Sequence, residues 1–171
     1  MVTGCLIPPL NPAIITPMTA TQSIKVKTMC LFVHNGKVLI QSGASLKKRV
    51  VDKPRPIIEG DFYRVLGGSL NLFETAEEGI RREIKEELGS EIENLQFLQV
   101  VENIFTYWGE KNHEIVFLYR ADLTDKSLYE REKIHIVEDV YEFDAEWMPI
   151  EKILNKEITL YPLADYGKFL K

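Results

Sequence analysis

At 171 residues, with 45% hydrophobic and 10% aromatic side chains, the chain suits one globular domain with a full core. A formal charge of −5 argues against a stable nucleic-acid complex, and no stretch is long and apolar enough to cross a membrane. The two cysteines, Cys5 and Cys30, cannot form a disulfide framework and lack metal-ligand spacing, which fits a reduced, cytoplasmic protein.

Met1 to Gln22 carries no charge and is rich in Pro, Thr and isolated aliphatics. It lacks the basic lead of a secretory signal, and Pro8, Pro9 and Pro12 interrupt its apolar runs. Residues 1–23 therefore read as a flexible arm, with Met18 an equal candidate for the natural start, and residues 24–171 as the patterned domain. From Ile24 to Val33 the chain alternates and then turns apolar, and Asn35-Gly36 joins this run to Lys37–Gln41, the pattern of a hairpin. Residues 42–60 form a long loop bearing Lys47, Lys48, Arg49, Lys53 and Arg55, with Pro54 and Pro56 against regular structure. A solvated connection and a phosphate-recruiting patch explain this loop equally well. Phe62 to Leu66 is a short strand that delivers Gly67-Gly68, where backbone can approach a metal or phosphate with no side chain in the way.

The next segment, from Thr75 to Gly89, is the most informative. Thr75 is placed to cap a helix, Glu78 completes a Thr-x-x-Glu capping box, and Glu77 faces the positive end of the dipole. Ala76, Ile80, Ile84 and Leu88 make a stripe that packs on a core, and Gly89 stops the helix. At about 100° per residue, Glu83 and Glu87 project within about 40° of each other, on the border of that stripe, with Glu86 beside them. Like charges at that spacing repel, so a divalent cation that prefers carboxylate oxygen is their natural partner.

Leu95 to Trp108 and Glu114 to Leu123 read as strands of a second hairpin around residues 109–112. Asp125 to Val140 is charged and reads as a loop or a frayed helix. Tyr141 to Pro149 reads as a strand, Ile150 to Asn155 as a short helix, and Pro162 to Leu170 as a closing helix. Hairpin, strand, helix, hairpin, strand, helix is the order of an α/β domain with a mixed sheet between helical layers.

Gly68, five residues, Glu74, seven residues, then Arg82-Glu83-Ile84-Lys85-Glu86-Glu87-Leu88-Gly89 resembles the signature of the Nudix hydrolases. Two neighbours differ from the usual pattern. Ser90 stands where an aliphatic residue is common, with Ile92 the nearest substitute, and Phe73 stands where Gly is frequent. The resemblance implies an α/β/α sandwich and hydrolysis of a pyrophosphate bond in a nucleoside diphosphate derivative, of the ADP-ribose, nucleotide-sugar or nucleoside triphosphate class. It implies Mg²⁺, or Mn²⁺, held by Glu83, Glu86 and Glu87 with the Gly68 carbonyl, and it allows a homodimer. Glu83 and Glu86 would also serve catalysis. Arg82, turned at least about 100° away from the ligand pair, would orient a carboxylate, with Glu74 its best partner.

For the general base, Glu102, Glu114 and Glu142 are candidates outside the signature. Arg64 and Gly67 beside the glycine turn are candidates for phosphate contact, and Tyr107 and Trp108 for base stacking. His34, His113 and His135 read as surface residues. Two other functions compete: a nucleotide sensor that regulates a partner without turnover, and isoprenoid diphosphate isomerisation. The full set of Arg82, Glu83, Glu86 and Glu87 argues against the first, and the scarcity of cysteine in patterned strands against the second.

Overall fold

The computed structural model describes residues 23–42, 47–48, 62–107, 110–138 and 141–170. The expected arm and most of the basic loop lie outside these residues. Strands β1 (Lys25–Leu31), β2 (Val33–His34), β3 (Lys37–Ser42), β4 (Lys47–Lys48) and β5 (Phe62–Val65) precede helix α1 (Ala76–Leu88). Then come β6 (Ile92–Tyr107), β7 (Glu110–Leu123), β8 (Lys133–Glu138), β9 (Tyr141–Pro149), α2 (Ile150–Leu154) and β10 (Thr159–Tyr161).

Among the described residues the strands form two mixed sheets. One has the order β1-β7-β6, and the other runs β10-β5-β3-β9-β4, with β2 on β3 and β8 on β9. β1 lies parallel to β7 and β10 parallel to β5, while the other named pairs are antiparallel. The apolar run at residues 24–33 thus divides between the sheets. β1 joins β7, and only Val33-His34 turns back on β3 through Asn35 and Gly36, both with positive φ as a tight hairpin of this kind requires. Backbone bridges from Lys27 to Ser69 and from Cys30 to Leu66 tie β1 to the segment that enters α1.

Strand alternation supplies two cores. Met29 and Leu31 of β1 with Val38 and Ile40 of β3 pack with Ile150 and Ile153 of α2. Cys30, Phe32 and Leu39 point the other way and pack with Ile80 and Ile84 of α1. The sheets therefore lie between helical layers. α1 carries the expected capping box at Thr75 and Glu78 and ends at Gly89 in the left-handed conformation. The Ser90 side chain is buried, its hydroxyl donating to the Glu91 carbonyl and accepting from the Asp125 N–H, and Ile92 fills the adjoining core.

Two expectations are corrected. Residues 125–140 contain a 3-10 turn at Lys126–Tyr129 followed by strand β8, rather than a loop or frayed helix. Lys133, His135 and Val137 face outward while Ile134 and Ile136 are buried, so a period of two underlies the charge. The closing segment is β10 and one 3-10 turn, Tyr166–Lys168, rather than a helix over 162–170. Pro162 supplies no N–H, Gly167 is a poor helix former, and the Tyr166 hydroxyl donates to the Pro162 carbonyl, which folds the segment back early. Among the described residues no helix is long and apolar enough to cross a membrane.

Candidate active site

The site is assembled where β5 ends in Gly67-Gly68 and the following loop turns into α1. Thr28 of β1 anchors this turn. Its N–H donates to the Gly68 carbonyl and its hydroxyl to the Ala76 carbonyl, both at 3.0 Å. One lone pair of the carbonyl expected to meet a metal is thus already engaged by β1. Gly68 lies directly against the Glu83 carboxylate, and a Cβ there would collide with it. Gly67 sits at φ +121°, where a side chain would also run into the β1 backbone. The glycine pair is required by close approach on both sides.

Glu83 and Glu87 are more deeply placed than the border of a helical stripe implies, with only 4% and 8% of their surface exposed. The Gly67 N–H donates to Glu87 Oε2 at 3.1 Å. Burial pushes the Glu87 carboxyl up to about 8, the charges of Glu138 and Glu83 add to the rise, and Arg64 and the Gly67 N–H oppose it. Burial also raises Glu83, against the hydrogen bond it accepts from Arg82. Glu83 Oε2 is buried and has no hydrogen-bond partner among the described residues.

Arg82 organises the acidic side. Its Nε and Nη2 grip both oxygens of Glu74 at 2.7 and 2.9 Å, and Nη2 also donates to the Ser69 carbonyl at 3.0 Å. Its Nη1 bridges Glu83 Oε1 at 2.9 Å and Glu86 Oε2 at 3.0 Å. The bidentate guanidinium, with the Asn71 N–H, holds the Glu74 carboxyl down at about 2. Glu86 is exposed and drawn to this arginine. Among the described residues no three His, Cys, Asp or Glu side chains close on a common point suited to a metal ion. Glu83 and Glu87 form a buried pair, and Glu86 stands exposed beside them, linked to Glu83 through Arg82 Nη1.

The residues present fit a hard divalent cation. Two poorly solvated carboxylates share a helix face, one oxygen of Glu83 lacks a hydrogen-bond partner among the described residues, and burial, with the charges of Glu138 and Glu83, holds Glu87 near 8.

The candidates outside the helix separate. Glu102 is exposed and meets His113, with Oε1 and Nε2 3.0 Å apart. Glu142 is half-buried on β9, with an oxygen 3.9 Å from His135 Nε2. Glu114 is buried on β7, 3.7 Å from Lys27 Nζ. The outside carboxylate whose charge acts on both Glu83 and Glu87 is none of these; it is Glu138, at the end of β8. Arg64 acts on Glu87 and Lys27, and burial followed by Arg64 lowers Lys27 to about 8. Tyr107 closes β6, and Trp108 lies outside the described residues. His34 packs against Tyr129 with ring centroids 4.5 Å apart, and His135 meets Asp144 at 3.0 Å.

Sequence reasoning missed Glu138, Lys27 and Asn103. Each stands on the inward phase of its strand, Glu138 after Ile134 and Ile136, Lys27 before Met29, and Asn103 after Val101. A polar residue on an apolar phase was the available signal.

A buried acidic pair on a helix entered through a glycine turn, set into a sandwich of mixed sheets and helices, defines an α/β domain with a candidate cation site. Residues 25–165 match the NUDIX domain model, and the chain belongs to the NUDIX family. Its structure is similar to the crystal structure of a MutT NUDIX hydrolase from Burkholderia pseudomallei, with a TM-score of 0.54 and 21% identity over 86% of this chain and 95% of that one. It is also similar to a NUDIX hydrolase from Nitrosomonas europaea, with a TM-score of 0.53 and 16% identity over 79% of this chain and 78% of that one. At these identities the likenesses bear on the fold.

Proposed function

We propose that the domain over residues 24–171 is a metal-dependent pyrophosphohydrolase acting on a nucleoside diphosphate derivative, of the ADP-ribose, nucleotide-sugar or nucleoside triphosphate class. The observation that carries this reading is the pair Glu83 and Glu87, nearly excluded from water and held face to face with the Gly67-Gly68 turn. A carboxylate pair so placed costs stability in the isolated fold, which an oxygen-seeking cation offsets. Glu83 and Glu87 would hold Mg²⁺ or Mn²⁺, with Glu86 and the Gly68 carbonyl at the margin. When bound, such an ion supplies neutralisation of the pyrophosphate charge.

The protein's own groups provide the rest. Arg82 and Glu74 lock the orientation of Glu83. Lys27 and Arg64 bring positive charge near the glutamates, which suits substrate phosphates. Glu138, on the inward phase of β8 and with a charge that bears on both glutamates, is our candidate acceptor for the proton of the attacking water. Cys30 is fully buried and its thiol is pushed up, which makes it unsuited to the cysteine chemistry of the isomerase alternative.

The test is incubation with a panel of nucleoside diphosphate derivatives and Mg²⁺, comparing the protein with Glu83→Gln. Turnover that collapses in the variant supports the hydrolase. Binding of nucleotide with no turnover would favour the sensor.

A further inference from the structure

A second polar site lies between the two sheets, beside Arg64. Arg64, Asn103, Glu114, Phe105 and Tyr161 line a cavity of about 30 Å³. Asn103 and Glu114 face each other across the β6–β7 hairpin and keep only 3% and 7% of their surface exposed. Arg64 and Tyr161, register partners on β5 and β10, close the cavity from the opposite sheet. The Phe105 and Tyr161 rings meet there, their centroids 6.0 Å apart at 52°. Lys27 Nζ lies 3.7 Å from Glu114 Oε1 at the edge of the group.

Two atoms on this wall are unmatched. Arg64 Nη2 and Asn103 Oδ1 are buried, and neither has a hydrogen-bond partner among the described residues. Folded proteins leave few buried polar atoms unpaired, because each costs about 1–3 kcal/mol. One of these atoms is a donor and the other an acceptor, beside a volume suited to a water or a hydroxyl group. A bare anion would meet Glu114 and the Asn103 carbonyl, and a bare cation would meet Lys27 and Arg64. A hydroxyl satisfies both unmatched atoms, and the aromatic pair offers an apolar wall for the carbon skeleton that bears it.

We propose that this cavity is a sugar subsite: it takes one ribose hydroxyl of the nucleotide, which accepts a hydrogen bond from Arg64 Nη2 and donates one to Asn103 Oδ1, with the sugar against Phe105 and Tyr161. The subsite deepens the reading of the site as one for nucleotide derivatives and rests on it. Arg64 links the two, standing three residues before Gly67.

The test is calorimetric titration of the full chain, without metal, with nucleoside 5′-monophosphates of all four bases in matched ribo, 2′-deoxy and 3′-deoxy forms. One deoxy form is expected to bind about 10–100-fold more weakly than its ribo parent, since its loss leaves two buried polar atoms unpaired. The form that loses affinity identifies the hydroxyl. Asn103→Leu, of similar volume, is expected to lower ribo binding to the deoxy level and erase the preference. Equal affinity of all forms, or no binding, overturns the subsite and leaves the cavity to an ordered water. Preference that survives in Asn103→Leu also overturns it. Turnover of pyrophosphates with no hydroxyl preference would remove this subsite alone, and hydroxyl-selective binding with no turnover would remove the hydrolase reading alone.

Discussion

Glu87→Gln should make the metal-free protein more stable above neutral pH while abolishing the proposed hydrolysis. The Glu87 carboxyl ordinarily titrates at 4.5 and is pushed up to about 8 in the fold, mainly by burial. Between those values the folded state retains a proton that the unfolded chain has released. Stability is therefore fully present below about 4.5 and is lost progressively as pH rises toward 8. The whole interval corresponds to about 5 kcal/mol, and water access to a side chain with 8% exposure brings the expected effect to the order of 2–4 kcal/mol. Glutamine keeps an acceptor for the Gly67 N–H and never ionises. Its amide group can also donate to the neighbouring carboxylates whose charge now raises Glu87.

Urea unfolding in EDTA at half-unit steps from pH 5 to 8.5 measures this. Lys27, which titrates near 8 in the fold, is almost fully charged in both states up to pH 7, so the lower part of the range isolates the carboxylates. The wild type should lose stability steadily over the series, and the variant should show a shallower slope and exceed the wild type at pH 8. A flat wild-type profile, or a variant less stable than wild type at pH 8 in EDTA, would refute the reasoning about the buried pair.

Mg²⁺ added at pH 7.5 should raise the wild-type melting temperature and leave Glu83→Gln/Glu87→Gln unmoved, read by differential scanning fluorimetry. Glu83→Gln alone should lower kcat/KM by about 10³-fold with an unchanged circular dichroism spectrum; a collapse of the fold would make its role structural. Arg82→Lys cannot grip both Glu74 oxygens and bridge Glu83 to Glu86 at once, so metal affinity and activity should each fall about 10–100-fold. Wild-type metal affinity in that variant would show the arginine network to be idle. Phe73 holds φ +68° and is 96% exposed, a conformation that costs a side chain about 1 kcal/mol. Phe73→Gly should therefore raise the melting temperature by about 2–4 °C, and a decrease would mean that the ring makes a contact worth more than the strain.

What was legible in the sequence is what neighbours along the chain decide. The Thr75 capping box, the Gly89 stop and the Asn35-Gly36 turn are local hydrogen-bond and dihedral requirements, and each occupies its expected place. The pairing of β1 with β7 was not legible, because parallel partners far apart in the chain leave no mark in either strand alone. β8 was hidden by Lys133, His135 and Glu138, whose polar side chains mask the alternation of Ile134 and Ile136. The same holds for the site. Helical register placed Glu83 and Glu87 on one face, but their depth comes from Gly68 and β1 closing over them. The Arg82 bridge between Glu83 and Glu86 is a side-chain contact that spacing alone does not show.

Proton release on cation uptake tests the buried pair most directly. Titrating Mg²⁺ into the protein at pH 7 in buffers of different ionisation enthalpy gives the number of protons expelled per ion. A carboxyl held at about 8 is still mostly protonated there, so close to one proton should leave as the ion binds, and almost none in Glu87→Gln. Tight uptake by the wild type with no proton released, or no uptake at all, would contradict the account.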